Sequence, residues 1–189
     1  MRIPNQVPHQ EERVPSNIHE LSNQARCIRF KVPSGYACER MTGTLLALSC
    51  SYPFMLPISG DDGDRESAVM IFITLSDGPS RADRLVSTAT LERSNDRTCQ
   101  HYYAGQQGPI SIYRRSDMAD ACFNVFRARD GALVCVEDAG DWSTTYSVYR
   151  KLGKSLCVHY EIPKSVGRGF MQFDSLVTKF LHELKLDPD

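Results

Sequence analysis

The sequence predicts an α+β fold, in which a twisted and mainly antiparallel sheet carries packed helices. Three observations predict it: two long apolar runs that suit strands, two hairpin patterns in the second half, and an amphipathic segment near the C-terminus. The chain has 189 residues, of which 41% are hydrophobic, so it can bury a substantial core. We therefore predict a single globular α+β domain over residues 17–189.

The N-terminal segment differs from the rest in composition. Residues 1–16, MRIPNQVPHQEERVPS, contain three prolines and no hydrophobic periodicity, which predicts a flexible arm. A short helix is expected to begin at Ser16 or Asn17. Residues 27–32, CIRFKV, then alternate apolar and polar positions, which predicts a half-buried strand that ends in the turn Pro33-Ser34-Gly35.

The longest apolar runs are TLLALSC at 44–50 and SAVMIFITL at 67–75. Their continuous apolar character predicts central strands that are covered on both faces. The acidic residues 59–66 between them predict an exposed loop. A helix over 81–93 is predicted by apolar residues at helical spacing, namely Ala82, Leu85, Val86 and Ala89.

The second half predicts an antiparallel meander, with strands at 110–113, 122–128, 133–137, 146–150 and 156–160. Asp130-Gly131 predicts a two-residue turn that places Cys135 opposite Phe126. A second turn at 151–154 places Cys157 opposite Val148. The last element is an amphipathic helix, whose apolar face comprises Phe170, Phe173, Leu176, Val177, Phe180, Leu181 and Leu184.

Seven cysteines stand singly, at Cys27, Cys38, Cys50, Cys99, Cys122, Cys135 and Cys157. No two have the spacing of a zinc site or a redox pair, so the cysteines indicate disulfides in an oxidising compartment, with at least one thiol left over. Buried free thiols in a cytosolic protein are the alternative. The hairpin register argues against a Cys122–Cys135 bond, so we expect Cys38 or Cys50 to pair with a strand of the second half.

Charge and hydropathy exclude several partners. The 22 basic and 23 acidic residues give a net charge of −1, which removes the electrostatic argument for binding nucleic acid or an anionic membrane. No apolar stretch approaches the roughly 20 residues that span a bilayer. Residues 1–21 are too polar for a signal peptide, so an exported protein would have lost its signal, and Met1 would have been added afterwards.

Catalytic patterns are sparse. Cys99 with His101, or Cys157 with His159, could form a nucleophile and base, because residues two apart on a strand share a face. Neither pair has an evident third group or oxyanion site, and no G-x-S-x-G, phosphate loop, H-E-x-x-H or dinucleotide fingerprint occurs. We therefore expect a protein without enzymatic activity or cofactor, and keep histidines that are merely hydrogen-bonded or half-exposed as the ordinary interpretation.

Three groups of residues are candidates for contact with a partner. The first is the acidic loop with Asp61, Asp62, Asp64 and Glu66, whose spacing does not match the twelve-residue calcium loop. The second is Asp138, Asp141 and Trp142, where the tryptophan either anchors an interface or closes the core. The third is Tyr102 and Tyr103 before a glycine-containing loop, which is also explained as a connector.

Three segments, CIRFKVPSGY, YSVYRKLGKSLCVHY and FMQFDSLVTKFLHEL, resemble small exported bacterial proteins with a PsbP-like fold. Among these, the immunity proteins against periplasmic type VI secretion effectors are similar in size, cysteine content and lack of a catalytic motif. The resemblance implies a periplasmic inhibitor that binds and neutralises a cognate secreted toxin. Two alternatives stay open: a cysteine/histidine-dependent hydrolase or transferase, and an exported small-ligand-binding protein.

Overall fold

The computed structural model describes residues 18–22, 26–32, 37–41, 47–56, 65–92, 100–166 and 169–184. For 37–41, 47–56 and 65–68 it describes the backbone alone. The predicted arm at 1–16 lies outside the described residues, as do residues 59–64 of the predicted acidic loop.

Eleven strands and two helices run through the described residues. In chain order they are β1 (Ile18–Ser22), β2 (Cys27–Lys31), β3 (Ala37–Met41), β4 (Ala47–Leu56), β5 (Arg65–Leu75), α1 (Arg81–Thr88), β6 (His101–Gln107), β7 (Ile110–Arg115), β8 (Met118–Arg127), β9 (Leu133–Asp138), β10 (Thr145–Leu152), β11 (Leu156–Pro163) and α2 (Phe170–Leu184). Two 3-10 turns, Gly140–Trp142 and Lys164–Val166, follow β9 and β11.

Nine of the strands form one antiparallel sheet in the order β3-β4-β5-β11-β10-β9-β8-β7-β6, and β1 and β2 form a separate hairpin. The predicted α+β class and the meander of the second half are confirmed. Residues 47–50 of the first apolar run lie in β4, which is second from an edge of the sheet rather than central, and the second run lies in β5. The centre is β10, whose neighbours β9 and β11 are also its neighbours along the chain.

The two faces of the large sheet differ in how they are covered. On one face, which we call the α2 face, the apolar side of α2 and the β1–β2 hairpin bury one continuous core. Phe30, Ile71, Val158 and Phe180 are each at most 1% exposed there. The predicted apolar face of α2 is confirmed except at Leu176, which is 46% exposed.

The opposite face, the α1 face, has a smaller core. It consists of two α1 residues packed against four strand residues, and its members are Ala82, Leu85, Tyr113, Phe123, Val125 and Cys135. Toward β5 the cover is incomplete, because Met70 remains 43% exposed and Phe72 only partly buried. The expectation that the run at 67–75 is covered on both faces is therefore wrong, because part of the α1 face beside β5 stays open.

A buried ionic network lies inside the α2-face core. Arg150 is 1% exposed, and its Nη1 lies 2.5 Å from both Asp174 Oδ2 and Thr178 Oγ1. Its Nη2 forms an ion pair with Asp130 at the β8–β9 turn. The Tyr160 hydroxyl donates to Asp174 Oδ1 at 2.9 Å, and burial raises the pKa of Tyr160 well above its usual value. The network connects α2 with β10, β11 and the β8–β9 turn.

The predicted hairpin registers are wrong. In β8–β9, Cys135 faces Val125 rather than Phe126, because the turn has three residues and Gly131 occupies its left-handed position, with φ of 84°. In β10–β11 the strands continue to the pair Leu152–Leu156, so Cys157 faces Lys151 rather than Val148. Both turns lie where the glycine indicated, but the number of turn residues determines which side chains face each other.

Two helix predictions also need correction. The helix expected from Ser16 or Asn17 is replaced, from Ile18, by strand β1, whose Leu21 is 1% exposed in the α2-face core. The helix expected over 81–93 ends at Thr88. The reason is visible at Thr90, whose backbone carbonyl accepts from Tyr103 and whose N–H donates to His101, so the chain has already joined the sheet edge.

The disulfide prediction is not supported. Cys27, Cys122, Cys135 and Cys157 form no disulfide, so in particular no Cys122–Cys135 bond exists. Cys38 and Cys50 face each other on β3 and β4, and β5 separates β4 from β11. Two strand spacings amount to about 9.5 Å, beyond the roughly 7 Å that a disulfide can bridge. The expected bond from Cys38 or Cys50 to a strand of the second half is therefore wrong for the described cysteines; Cys99 lies outside the described residues.

Candidate functional site

The turn Gly140–Trp142, which we call the tryptophan turn, connects β9 to β10 at one end of the large sheet. Trp142 is 86% exposed, so the interpretation that it closes the core is wrong. A side chain of this size exposes a large apolar surface next to polar residues, which is the usual composition of an interface anchor. The turn is therefore the first candidate site.

Several bonds fix the backbone of the tryptophan turn. Asp138 Oδ1 accepts from the Gly140 N–H at 3.0 Å and lies 2.5 Å from Lys164 Nζ. The same ammonium group donates to the Gly140 carbonyl oxygen at 2.5 Å. Ser143 Oγ donates to the Thr145 carbonyl at 2.9 Å. Asp138, a predicted contact residue, is thus occupied in holding the turn rather than available to a partner.

Two exposed carboxylates flank the tryptophan turn. Asp141 precedes Trp142, and Asp120 at the start of β8 lies against Gly140. Neither carboxylate has an ion-pair partner among the described residues. The turn therefore presents a large aromatic side chain with negative charge beside it, which is complementary to a basic surface.

The other predicted contact residues are separated. Tyr102 shares the α2 face with Asp138, because the facing residues run from Tyr102 through Arg114 and Cys122 to Asp138. Three strand spacings, about 14 Å, lie between the two. Tyr103 lies on the α1 face, where its ring meets Tyr113 at 5.7 Å, so it belongs to the core.

The predicted acidic loop is described only at its end. Glu66 faces Met55 near the start of β5, while Asp61, Asp62 and Asp64 lie outside the described residues. Both β5 and β10 run antiparallel to β11, so both strands begin at the same end of the sheet. Glu66 and the tryptophan turn are therefore at one end, two to three strand spacings apart.

A second candidate is a cleft on the α1 face, in the part that α1 leaves open. Phe72, His159 and Tyr149 face one another on β5, β11 and β10. The ring of His159 stacks on Tyr149 with a centroid separation of 4.5 Å and an angle of 6°, and on Phe72 at 5.7 Å and 20°. These three rings form the floor of a cleft with a volume of about 630 Å³, which we call the aromatic cleft.

Two arginines of α1 line the aromatic cleft. The Arg81 guanidinium lies 4.4 Å from the centre of the Tyr149 ring and 2.5 Å from Glu137 Oε2, so its position is fixed by a cation–π contact and an ion pair. Arg84 donates to the Pro79 carbonyl oxygen at 3.1 Å and has no acidic partner among the described residues. Among the described residues no carboxylate lines the cleft, although Glu161 and Glu137 are close enough to act on His159.

His159 is unusual because its Nε2 is shielded from water and has no hydrogen-bond partner within the described residues. Burial lowers the pKa of this imidazole below its ordinary value, since the charged form would lose its hydration. Cys157 lies on the same face, but its thiol forms no hydrogen bond with this unpartnered Nε2. The nucleophile–base contact required by the cysteine/histidine alternative is therefore not formed there.

The other side of α1 has a smaller cavity of about 270 Å³, lined by Arg81, Arg84, His101 and Phe123 among others. Burial, and then Arg115 and Arg81, lower the pKa of His101, whose ring meets Phe123 edge-on at 4.9 Å. Burial raises the pKa of Cys135 to about 12, so this thiol is not a nucleophile at neutral pH.

Sequence reasoning missed the aromatic cleft. The sequence places Arg81 and Arg84 in the predicted helix over 81–93 without a functional pattern, and it offers His159 as a base for Cys157 or as an ordinary histidine. Arg81 and Arg84 are three residues apart on a helix, and this spacing does place the two arginines on one face. Bringing Phe72 beside His159 requires the β5–β11 pairing, which joins distant parts of the chain and has no local signal.

Replacing His159 by phenylalanine tests the cost of the unpartnered nitrogen. H159F should stabilise the protein by about 1 kcal/mol at pH 8, because a buried polar atom without a partner is removed while the stacking continues. The lowered pKa means that wild-type stability falls as the pH drops below about 6.5, so the advantage of H159F should grow toward pH 5. Urea unfolding at both pH values measures this. H182Q, at an exposed histidine, is the control; a variant that loses stability at both pH values would contradict the prediction.

Metal and membrane sites receive no support from the described part of the chain. No cluster of three or more His, Cys, Asp or Glu side chains suited to a metal ion occurs there. No helix among the same residues has the length and apolar character needed to cross a bilayer.

Comparisons with protein-family models, with curated proteins and with solved structures find no match to this chain.

Proposed function

We propose that this protein is a non-enzymatic binding module that neutralises a cognate secreted bacterial toxin in the periplasm. The observation that carries the proposal is the 86% exposure of Trp142 on a turn whose backbone is held by Asp138 and Lys164. A large aromatic group on a fixed backbone can dock with little loss of conformational entropy, which favours a stable interface.

The charge around the turn supports a basic partner surface. Asp120 and Asp141 are exposed beside Trp142. Unpaired carboxylates at an interface rim accelerate association with a positively charged surface and make it dependent on salt. The toxin surface that this turn contacts should therefore be basic, with an apolar pocket for the indole ring.

The test is co-expression in the periplasm with the product of the neighbouring gene, followed by purification of the complex. W142A should weaken binding at least about thirtyfold, since truncating a central tryptophan typically costs 2 kcal/mol or more. L91A is the matched control, because Leu91 has the same 86% exposure and lies outside the turn, before β6. Calorimetry of the purified pair measures both.

Two outcomes would contradict different parts of the proposal. The absence of both a complex and protection from the toxin would reject the inhibitor function. A complex that W142A and L91A weaken equally would reject the tryptophan turn as the contact site.

A further inference from the structure

We propose that the aromatic cleft binds a small amphipathic anion, with a flat apolar body that lies across the edges of the floor rings and one carboxylate that Arg84 receives. The inference is independent of toxin binding, because the cleft is on the α1 face whereas Trp142 lies beyond the end of β9.

The floor of the cleft selects the apolar body. Tyr149, His159 and Phe72 offer a continuous row of three aromatic rings across neighbouring strands. Tyr149 and Phe72 stack on opposite faces of the His159 ring, so the row presents ring edges to the cleft. Burial lowers the pKa of His159, which favours the neutral imidazole, so the middle of the floor carries no positive charge at neutral pH. A planar unsaturated molecule suits this floor, because its face can meet the ring edges in the edge-to-face arrangement that aromatic pairs favour.

The arginines at the edge of the cleft favour a negatively charged ligand. Arg81 is held by Glu137 and Tyr149, whereas Arg84 contacts only the Pro79 carbonyl among the described residues. Of the arginines that line the cleft, Arg84 is the one without an acidic partner among the described residues, so a ligand carboxylate beside it meets an uncompensated positive charge. An arginine fork suits a carboxylate, which can accept two parallel hydrogen bonds from it.

The size of the cleft limits the ligand to a small molecule. Its volume of about 630 Å³ is within the range of ligand pockets, roughly 300–1,000 Å³, and accommodates a bicyclic aromatic acid. A few polar groups beside a mostly apolar lining is also the usual composition of such pockets.

The experiment titrates the full chain with 2-naphthoate by calorimetry and repeats the titration with 2-naphthylmethanol, which has the same body without the charge. We expect saturable binding of one naphthoate per chain, and binding of the alcohol at least tenfold weaker. R84Q should weaken naphthoate binding about tenfold, or 1.4 kcal/mol. R127Q is the matched control, because Arg127 is also exposed and also donates to a backbone carbonyl, that of Gly131, away from the cleft.

The imidazole signals of His159 locate the bound molecule independently of any variant. Ring currents of the naphthoate should shift the signals of His159 more than those of the exposed His182. The proposal is overturned by the absence of saturation up to about 1 mM, by equal binding of the alcohol, by equal effects of R84Q and R127Q, or by shifts confined to other histidines. None of these outcomes affects toxin binding, so the two proposals fail separately.

Discussion

Replacing Arg150 by methionine should destabilise the protein by about 3–5 kcal/mol, which is the largest effect we expect from one substitution. The guanidinium group is fully buried and is the only cation bonded to the Asp174 carboxylate, itself 2% exposed, within the described residues. Without it, the carboxylate keeps the Tyr160 hydroxyl but loses its counter-charge. Urea unfolding at pH 7 measures the loss.

The pH dependence distinguishes this mechanism from simple loss of packing. Burial raises the pKa of Asp174, whereas Arg150 and the Tyr160 hydroxyl favour its ionised form. In R150M the arginine no longer stabilises the ionised form, so the pKa of Asp174 rises further and its buried carboxyl group takes up a proton more readily. When the pKa of a carboxyl group is higher in the folded than in the unfolded protein, stability falls as the pH rises above the pKa of the unfolded state. The deficit of R150M should therefore be smaller at pH 4.5 than at pH 7.

A compensating variant gives the sharper test. R150M/D174L removes both charges and should recover most of the lost stability, because apolar residues can replace a buried ion pair at little cost. K151M, at the next residue of β10 on the opposite face, is the control and should change stability by less than about 0.5 kcal/mol. A double variant as unstable as R150M would show that the shape of the network matters more than its charge.

Local patterns predicted most of the elements. Burial of one side of an element gives apolar residues a period of two in a strand and of about 3.6 in a helix. This period is visible in the sequences of β2, β11 and α2. The antiparallel meander from β7 to β11 was predictable because neighbouring strands are also neighbours along the chain, whereas β6 was not predicted. These features depend on few residues at a time.

Features that depend on distant pairing or on one turn residue were not predictable. The β5–β11 pairing brings Phe72 to His159, and nothing in either segment specifies the other. The three-residue β8–β9 turn moves Cys135 by one position relative to β8. Arg150 occupies an inward position of β10, but a cation there was not expected in the core. For Trp142 the sequence was ambiguous, because a tryptophan suits both a core and an interface.

Replacing Gly140 by alanine should cause the second large loss of stability, because the substitution acts on the backbone that presents Trp142. Gly140 has a φ of 67°, a left-handed conformation that costs a residue with a Cβ roughly 1–2 kcal/mol. A Cβ at this position would also lie 2.7 Å from Asp120 Cβ and 3.1 Å from the Asp120 carbonyl oxygen. Since the carbonyl belongs to the backbone of β8, the turn itself must move, and we expect a total cost of about 2–4 kcal/mol.

The chain contains a matched control that separates these two contributions. Gly108, in the β6–β7 turn, has a φ of 57°, and a Cβ there would meet nothing within 4 Å. G108A should therefore cost about 1–2 kcal/mol through conformation alone, and G140A should exceed it by the contact with Asp120. Urea unfolding compares the free energies of unfolding of the two variants. Equal losses of stability would show that the turn moves away from Asp120 at no cost.

The same pair of variants tests whether the proposed function depends on a fixed tryptophan turn. If Trp142 binds the toxin because its backbone is preorganised, G140A should weaken the complex under conditions in which both variants are fully folded, whereas G108A should not. Acrylamide quenching of Trp142, the only tryptophan of the chain, reports its accessibility in each variant. Unchanged affinity in G140A, together with a measurable loss of stability, would mean that Trp142 binds by adapting rather than through a preset position.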